Sequence, residues 1–116
     1  DQTSTGLQIS LFEVRSPRSE RRYPFNLVLA QVAEEAATIE GQVEIVIEGR
    51  TGSEKQDFRP DLGGGGALSP FKFRYFQDIE GEIVLPEGFA PEQILVRAQA
   101  KGNKNNRIER TFSWEF

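Results

Sequence analysis

Hydrophobic and polar residues alternate along several short segments of this chain, with the two-residue period of half-buried β-strands. The clearest example is the segment 42–48, in which Val43, Ile45 and Ile47 are separated by polar residues. Successive side chains of an extended strand point to opposite faces, so the three aliphatic side chains share one face. The segment therefore predicts a strand with one buried face and one solvated face.

Similar patterns, separated by Gly, Pro and Asn, predict about eight strands in all. The predicted strands are residues 8–14, 23–33, 42–48, 55–58, 68–76, 82–85, 93–100 and 107–116. In the first, the apolar phase changes at Leu11 and Phe12, which predicts a β-bulge. In the second, Val28 and Val32 lie opposite the main apolar row, so we expect partial cover of that face. Short strands at this spacing predict an all-β fold, a single antiparallel β-sandwich that is immunoglobulin-like in broad architecture, with a barrel as the alternative.

The segments 68–76 and 82–85 are expected to form a β-hairpin, for which two registers keep the faces matched. One register closes around residues 77–79 and the other around residues 78–81. The second has Asp at the first turn position and Gly where a positive φ is required, so we favour it. In both registers, charged and aromatic side chains share one outer face. The residues expected on that face include Lys72, Arg74, Phe76 and Val84.

A length of 116 residues fits one domain with its own hydrophobic core. We expect residues 1–6 to be a disordered or added start and residues 7–116 to form the β-sandwich domain. Residues 33–37 carry a weak helical signal that is too short to stand alone. No apolar run approaches the roughly 18 residues of a membrane span, and no signal peptide is present. Because the chain opens on Asp1 rather than Met, we expect it to be part of a longer protein.

Composition removes several classes of function. The net charge of −4 and the pI of about 4.9 argue against nucleic-acid binding, which requires a clustered basic surface. The chain has no Cys and no His, so it lacks the thiol nucleophile, the commonest general base and the commonest metal ligand. The glycine run at 63–66 lacks the Lys and Ser/Thr of a phosphate loop and precedes a strand, so it predicts a flexible connector.

Paired carboxylates are the remaining candidates for catalysis. They occur at Glu34 and Glu35, at Glu44 and Glu48, and at Glu80 and Glu82. A catalytic pair needs one carboxyl group held in an apolar pocket, whereas these residues alternate outward on strands or lie in turns. We therefore expect a protein that is not an enzyme, with no catalytic residue, no metal site and no cofactor.

Two sets of residues are candidates for binding. The first is a basic loop whose guanidinium groups suit carboxylate or phosphate, although an ordinary solvated loop is the favoured interpretation. It comprises Arg15, Arg18, Arg21 and Arg22. A second basic cluster within 101–110 would matter only if the fold brings it beside that loop. The residues of the other set are expected to contact a partner. For two of them, Phe76 and Phe89, a surface role and burial in the core are equally expected. The set comprises Lys72, Arg74, Tyr75, Phe76, Val84 and Phe89.

The runs YFQDIEGE at 75–82 and LPEGFAP at 85–91 resemble the signature of an uncharacterised proteobacterial family. LVLAQ at 27–31 and ERTFSW at 109–114 are similar to that family as well, so the resemblance covers nearly the whole chain. Family members are inner-membrane proteins with a short cytoplasmic start, a transmembrane helix, a coiled coil and then a periplasmic domain of this type. The resemblance implies a periplasmic location and an upstream anchor, and it supplies no catalytic residue. Genes for bactofilin-type cytoskeletal proteins often lie near those of the family. This proximity associates the family with cell shape or wall synthesis, without implying a mechanism.

The function expected from the sequence is a non-catalytic periplasmic interaction domain that docks a cell-envelope protein. Recognition would use an exposed sheet edge or the mixed outer face described above. One alternative is binding of peptidoglycan or another glycan through Tyr75, Phe76 or Phe89 together with the basic loop. A second alternative is self-association into a homo-oligomer through edge strands.

Overall fold

The computed structural model describes residues 6–32, 37–62, 66–102 and 106–116. Within these ranges it contains eight strands and no helix, all paired antiparallel in two packed sheets. The predicted all-β sandwich is thus confirmed, and its architecture is compatible with an immunoglobulin-like arrangement. The strands are β1 (Gly6–Val14), β2 (Arg22–Val32), β3 (Ile39–Thr51), β4 (Glu54–Phe58), β5 (Leu68–Phe73), β6 (Phe76–Val84), β7 (Phe89–Ala100) and β8 (Arg107–Ser113). Three predicted segments lie outside the described residues except for the last residue of each. They are the irregular start at 1–6, the weak helical segment at 33–37 and the glycine run at 63–66.

The small sheet has the strand order β1-β2-β6, and the large sheet has the order β4-β3-β7-β8 with β5 also paired to β3. The 13-residue strand β3 is the spine of the large sheet. One of its edges pairs with β5 along its first half and with β4 along its second half, while the other edge pairs with β7. The predicted bulge in β1 is present as a register shift between Ile9 and Leu11.

The core lies between the two sheets and follows the alternation of the strands. Its fully buried aliphatic side chains include Leu27, Leu29, Val43, Ile45, Ile47, Ile83, Ile94 and Val96. Half-buried aromatic residues close its margins, where Trp114 contacts Tyr23 edge-to-face with ring centroids 4.9 Å apart. Among the described residues, no polar or charged residue is buried, so charges stay on the surface.

The predicted hairpin between the fifth and sixth strands is wrong. β5 pairs with β3 in the large sheet, whereas β6 pairs with β2 in the small sheet. The chain therefore crosses from one sheet to the other at residues 74–75, and the predicted turn at 78–81 lies inside β6. The expected shared face is wrong for the same reason. Lys72 belongs to the large sheet, Phe76 and Val84 to the small sheet, and Arg74 to the crossing.

Gly81 is the residue that made the sixth strand resemble a turn. It has no positive φ and pairs with Phe25, facing the core. A Cβ atom at this position would stand 2.9 Å from Cε2 of the Phe25 ring. The glycine therefore makes room for an aromatic ring in the neighbouring strand. The alternation of inward Ile79 and Ile83 with outward carboxylates continues through it.

Strand directions give the sandwich two distinct ends. At the first, called here the Tyr75 end, β1, β3, β6 and β8 begin and β2, β5 and β7 finish. The other, called here the Arg21 end, carries the loop between β1 and β2, the connection from β6 to β7 and the turn from β3 to β4. Every candidate binding residue belongs to one of these ends or to the outer face of a sheet.

Candidate functional site

The crossing between the sheets forms a rigid corner at the Tyr75 end. The main-chain N–H of Gln31 donates to the carbonyl of Tyr75 at 3.0 Å, and its side-chain amide donates to the carbonyl of Arg74 at 2.9 Å. That amide also reaches the carbonyl of Ala37 at 2.8 Å. On the other side, the side-chain carbonyl of Gln77 accepts from the main-chain N–H of Lys72 at 2.9 Å. Two glutamine side chains thus fix the crossing against both sheets.

This corner presents two exposed aromatic rings. Tyr75 is 60% exposed and Phe76 is 67% exposed, the largest values among the exposed large hydrophobic residues of the described chain. The Arg74 guanidinium lies over the Tyr75 ring, 5.1 Å from its centroid. A desolvated aromatic ring is a common anchor of protein interfaces, so two rings held in water on a fixed backbone are candidates for such a role.

Phe76 continues into an apolar strip on the outer face of the small sheet. Strand pairing sets Phe76 beside Ala30 and sets Val28 beside Leu11 on that face, and Val32 follows at the end of β2. Leu11 is 41% exposed and Val32 is 46% exposed, while Val28 and Ala30 are half-buried. The apolar strip is defined by Leu11, Val28, Ala30, Val32 and Phe76. An exposed apolar surface that spans three strands is typical of a contact surface.

A row of carboxylates borders the apolar strip along β6. Asp78, Glu80 and Glu82 alternate outward on that strand, and Asp78 pairs directly with Val28 of the strip. Glu82 forms an ion pair with Arg22 at 2.9 Å. Asp78 and Glu80 form no ion pair with another described residue. The surface therefore combines apolar area at one end of the sheet with negative charge along its free edge.

The remaining residues expected to face a partner are dispersed. Val84 is exposed on the outer face of β6 but lies at the Arg21 end, the full length of the strand from Phe76. Lys72 is exposed on the outer face of the large sheet, opposite Glu40. Phe89 is only 3% exposed and packs against Phe58 with centroids 6.0 Å apart. It is a core residue and does not share a surface with Tyr75 and Phe76.

The basic loop is occupied by structural contacts. Arg21 adopts a left-handed backbone conformation with φ of 66°. Its guanidinium donates to the carbonyls of Leu85 at 3.3 Å, Pro86 at 2.6 Å and Phe89 at 2.6 Å. It thereby fastens the loop between β1 and β2 to the connection between β6 and β7. The Leu85 N–H returns a hydrogen bond to the Arg21 carbonyl at 2.9 Å.

The other members of this loop do not form a positive surface with the second basic cluster. Arg22 pairs with Glu82 at 2.9 Å, and Arg15 lies 3.8 Å from Glu13. Arg18 is exposed and forms no ion pair with a described residue. The described part of the second cluster flanks the β7–β8 turn at the Tyr75 end, whereas the loop is at the Arg21 end. The fold separates the two clusters, and it also separates the loop from Tyr75 and Phe76.

Sequence reasoning missed two parts of this site. It did not identify Gln31 and Gln77 as the residues that fix the corner, because their contacts reach across two sheets. It did not include Leu11 or Ala30 in a surface. The position of Val28 and Val32 opposite the main apolar row of the second strand had indicated apolar residues on that face. In the described part of the chain, no helix is long and apolar enough to cross a membrane, and no group of three or more acidic side chains is arranged to hold a metal ion.

Comparison with known proteins identifies a family without an assigned activity. No curated protein shows significant similarity to the chain. The model of a family of unknown function matches residues 1–96. This range includes the corner, the apolar strip, strands β1 to β6, and β7 as far as Val96. The expectation of an uncharacterised family is thus confirmed. The chain belongs to the family of unknown function DUF6776.

Proposed function

We propose that this domain is a non-catalytic interaction module that docks a partner protein through the apolar strip and the adjoining Tyr75. The observation that carries the proposal is the gathering of exposed apolar side chains at one end. Leu11, Val32, Tyr75 and Phe76 account for most of the large hydrophobic side chains exposed in the described chain, and all lie at or near the Tyr75 end of the small sheet. Scattered exposed apolar residues are ordinary, whereas a contiguous group is typical of a contact surface.

The charge beside the strip defines the chemistry of the partner. Asp78 and Glu80 stand next to the apolar side chains without a cationic partner among the described residues. Because complementary charge speeds association and rejects wrong partners, we propose a partner whose apolar contact is flanked by Lys or Arg. The same acidic row disfavours two identical copies, since a two-fold contact centred on the strip would bring both rows into one interface.

The cellular setting is part of the proposal and rests on the family resemblance in the sequence. We propose that the domain is the periplasmic part of an inner-membrane protein from a proteobacterium, anchored by an upstream helix and coiled coil. Its partner would then be a cell-envelope protein, in a process related to bactofilin-associated cell shape or wall synthesis. Fold alone does not determine function, so this setting depends on identification of the partner.

The test is capture of partners from intact cells by cross-linking, with the full-length protein as bait. We expect Phe76→Ser to reduce capture of the specific partner by about tenfold or more, because loss of a central aromatic anchor costs about 2 kcal/mol or more. Val84→Ser is the matched control, since Val84 is exposed on the same face of the same strand but at the opposite end. Both variants should keep the unfolding temperature of the parent, because both side chains lie on the surface, with exposures of 67% for Phe76 and 42% for Val84.

Three other outcomes would replace the proposal. Undiminished capture by Phe76→Ser would show that the partner uses another surface. Sedimentation of the domain with purified sacculi, unaffected by removal of the protein partner, would support the glycan alternative. A concentration-dependent dimer in sedimentation equilibrium, lost in Phe76→Ser, would support self-association.

A further inference from the structure

A polar groove lies at the Tyr75 end of the large sheet, away from the apolar strip. Its volume is about 760 Å³, within the range of small-molecule sites. Most of the polar side chains that line it come from three adjacent strands of the large sheet and from the residue that follows β7, and one comes from β6. They are Glu40, Gln42, Lys72, Gln77, Gln99 and Lys101, and Pro70 completes the rim.

The strand register arranges these side chains in two rows. Lys72 of β5 stands opposite Glu40 of β3, and on the other side of β3 the main-chain N–H of Lys101 donates to the Glu40 carbonyl at 2.7 Å. The second row runs from Pro70 to Gln42 and on to Gln99. Since neighbouring strands are about 4.8 Å apart, the two lysine backbones lie about 10 Å apart across β3. Flexible lysine stems can close over a single ligand at that separation.

The lysines of the groove differ from the charges in the next row of the same face. There, Glu44 pairs with Arg59 at 3.1 Å and with Arg97 at 3.3 Å, and Arg97 continues to Glu109 at 2.9 Å. The charges of that row are thus paired with one another within the protein. In contrast, neither Lys72 nor Lys101 forms an ion pair with any described residue, although both line a groove.

We propose that this groove binds a short carboxylate-bearing saccharide. The two ammonium groups suit a carboxylate, and the amide of Gln42 together with the Glu40 carboxylate suits sugar hydroxyls, which both donate and accept hydrogen bonds. The exposed ring of Pro70 offers an apolar surface to the C–H face of a sugar. The ligand is thus small, polyhydroxylated and anionic.

A protein segment fits the groove less well. Protein contact surfaces are enriched in aromatic residues and depleted in Lys and Glu, the reverse of this lining. Addition of a peptide strand to the β5 edge is opposed because the Lys72 N–H is already bonded to the side chain of Gln77 at 2.9 Å. Pro70, also in β5, has no N–H to donate.

The test is titration of the uniformly ¹⁵N-labelled chain, followed by two-dimensional NMR, with three disaccharide probes. The N-acetylglucosamine–N-acetylmuramic acid disaccharide carries a lactyl carboxylate, digalacturonate carries uronate carboxylates, and chitobiose is uncharged. We expect at least one acidic probe to shift the amide signals of Gly41, Lys72 and Lys101 with a Kd of about 1 mM or lower, and chitobiose to bind about tenfold more weakly. The two acidic probes distinguish a muramic-type source of the carboxylate from a uronic one.

Matched variants keep this test independent of the docking surface. Lys72→Gln combined with Lys101→Gln should weaken binding of the acidic probe by about tenfold or more while leaving the rest of the spectrum unchanged. Phe76→Ser should bind it as the parent does, so failure of this proposal and failure of the docking proposal are separable. The inference is overturned if neither acidic probe shifts these signals up to about 10 mM, if chitobiose binds equally well, or if only a glutamate-rich peptide binds.

Discussion

Replacement of Arg21 tests whether the basic loop is structural. The Arg21 guanidinium donates to three main-chain carbonyls that belong to a different connection of the fold, those of Leu85, Pro86 and Phe89. Hydrogen bonds to a charged group contribute about 1.5–3 kcal/mol each, and water can replace part of this at the exposed Pro86 carbonyl. We therefore expect Arg21→Ala to lower the free energy of unfolding by about 2–3 kcal/mol in total.

Two further substitutions separate the causes of this loss. Arg21→Lys keeps the charge but not the planar fork that reaches three acceptors, so we expect it to recover less than half of the lost stability. Arg21→Gly also removes the guanidinium, but it relieves the left-handed φ of 66°, so it should be less destabilising than Arg21→Ala by about 1 kcal/mol. Arg18→Ala is the control, because Arg18 is exposed in the same loop, and it should change stability by less than about 0.5 kcal/mol.

The assay is urea unfolding followed by the fluorescence of Trp114, the one Trp in the chain. The wild type and all four variants are compared at equal ionic strength. Equal, near-zero effects of Arg21→Ala and Arg18→Ala would refute the reasoning. In that case Arg21 would be a solvated residue, and the loop would again be a candidate for binding an anionic partner.

Three further predictions concern packing and the corner. Gly41→Ala should destabilise the domain by more than about 3 kcal/mol, since its Cβ would stand 2.0 Å from the Gln99 carbonyl oxygen. At Gly66 no atom of a described residue would be nearer than 3.9 Å to an added Cβ, so Gly66→Ala should be close to neutral in the same urea assay. Phe89→Ala should cost about 3–5 kcal/mol in thermal unfolding, as expected for a core ring, and a loss below about 1 kcal/mol would contradict its burial. Gln31→Ala removes the side-chain bonds to the crossing while retaining its main-chain bond, so hydrogen exchange at residues 74–76 should accelerate and exchange in the core of β3 should not.

Much of this fold could be predicted from the sequence, because period-two alternation is a local property. Eight strands were predicted from it, together with the bulge in β1, although β6 begins at Phe76 and not at the predicted residue 82. The expected partial cover holds for Val28, which is half-buried, but not for Val32, which is 46% exposed. Strand pairing could not be predicted in the same way. Asp78 and Gly81 have the spacing of a turn, but Gly81 is required by the Phe25 ring of a strand more than fifty positions earlier.

The candidate site was predictable only in part for the same physical reason. For Phe76 the sequence left exposure and burial evenly balanced, and the structure exposes it. The neighbours of Tyr75 and Phe76 could not be predicted, because they depend on which strands flank β6. Phe89 had an equally ambiguous phase and proved to be in the core, where it meets Phe58 of a separate strand. Arg21 was one of four similar arginines in the sequence, and its role depends on carbonyls more than sixty positions away.

The most direct test of the docking surface compares two valines of the small sheet. Val32 and Val84 both lie on its outer face, with exposures of 46% and 42%, but they are at opposite ends. A photo-cross-linking amino acid is placed at one position or the other in the full-length protein, and cells are irradiated. We predict one discrete cross-linked partner from position 32 and little or no cross-linked product from position 84. In that partner, Lys or Arg residues should flank the segment that contacts the domain. Equal products from both positions, or a product from position 84 alone, would contradict docking through the apolar strip.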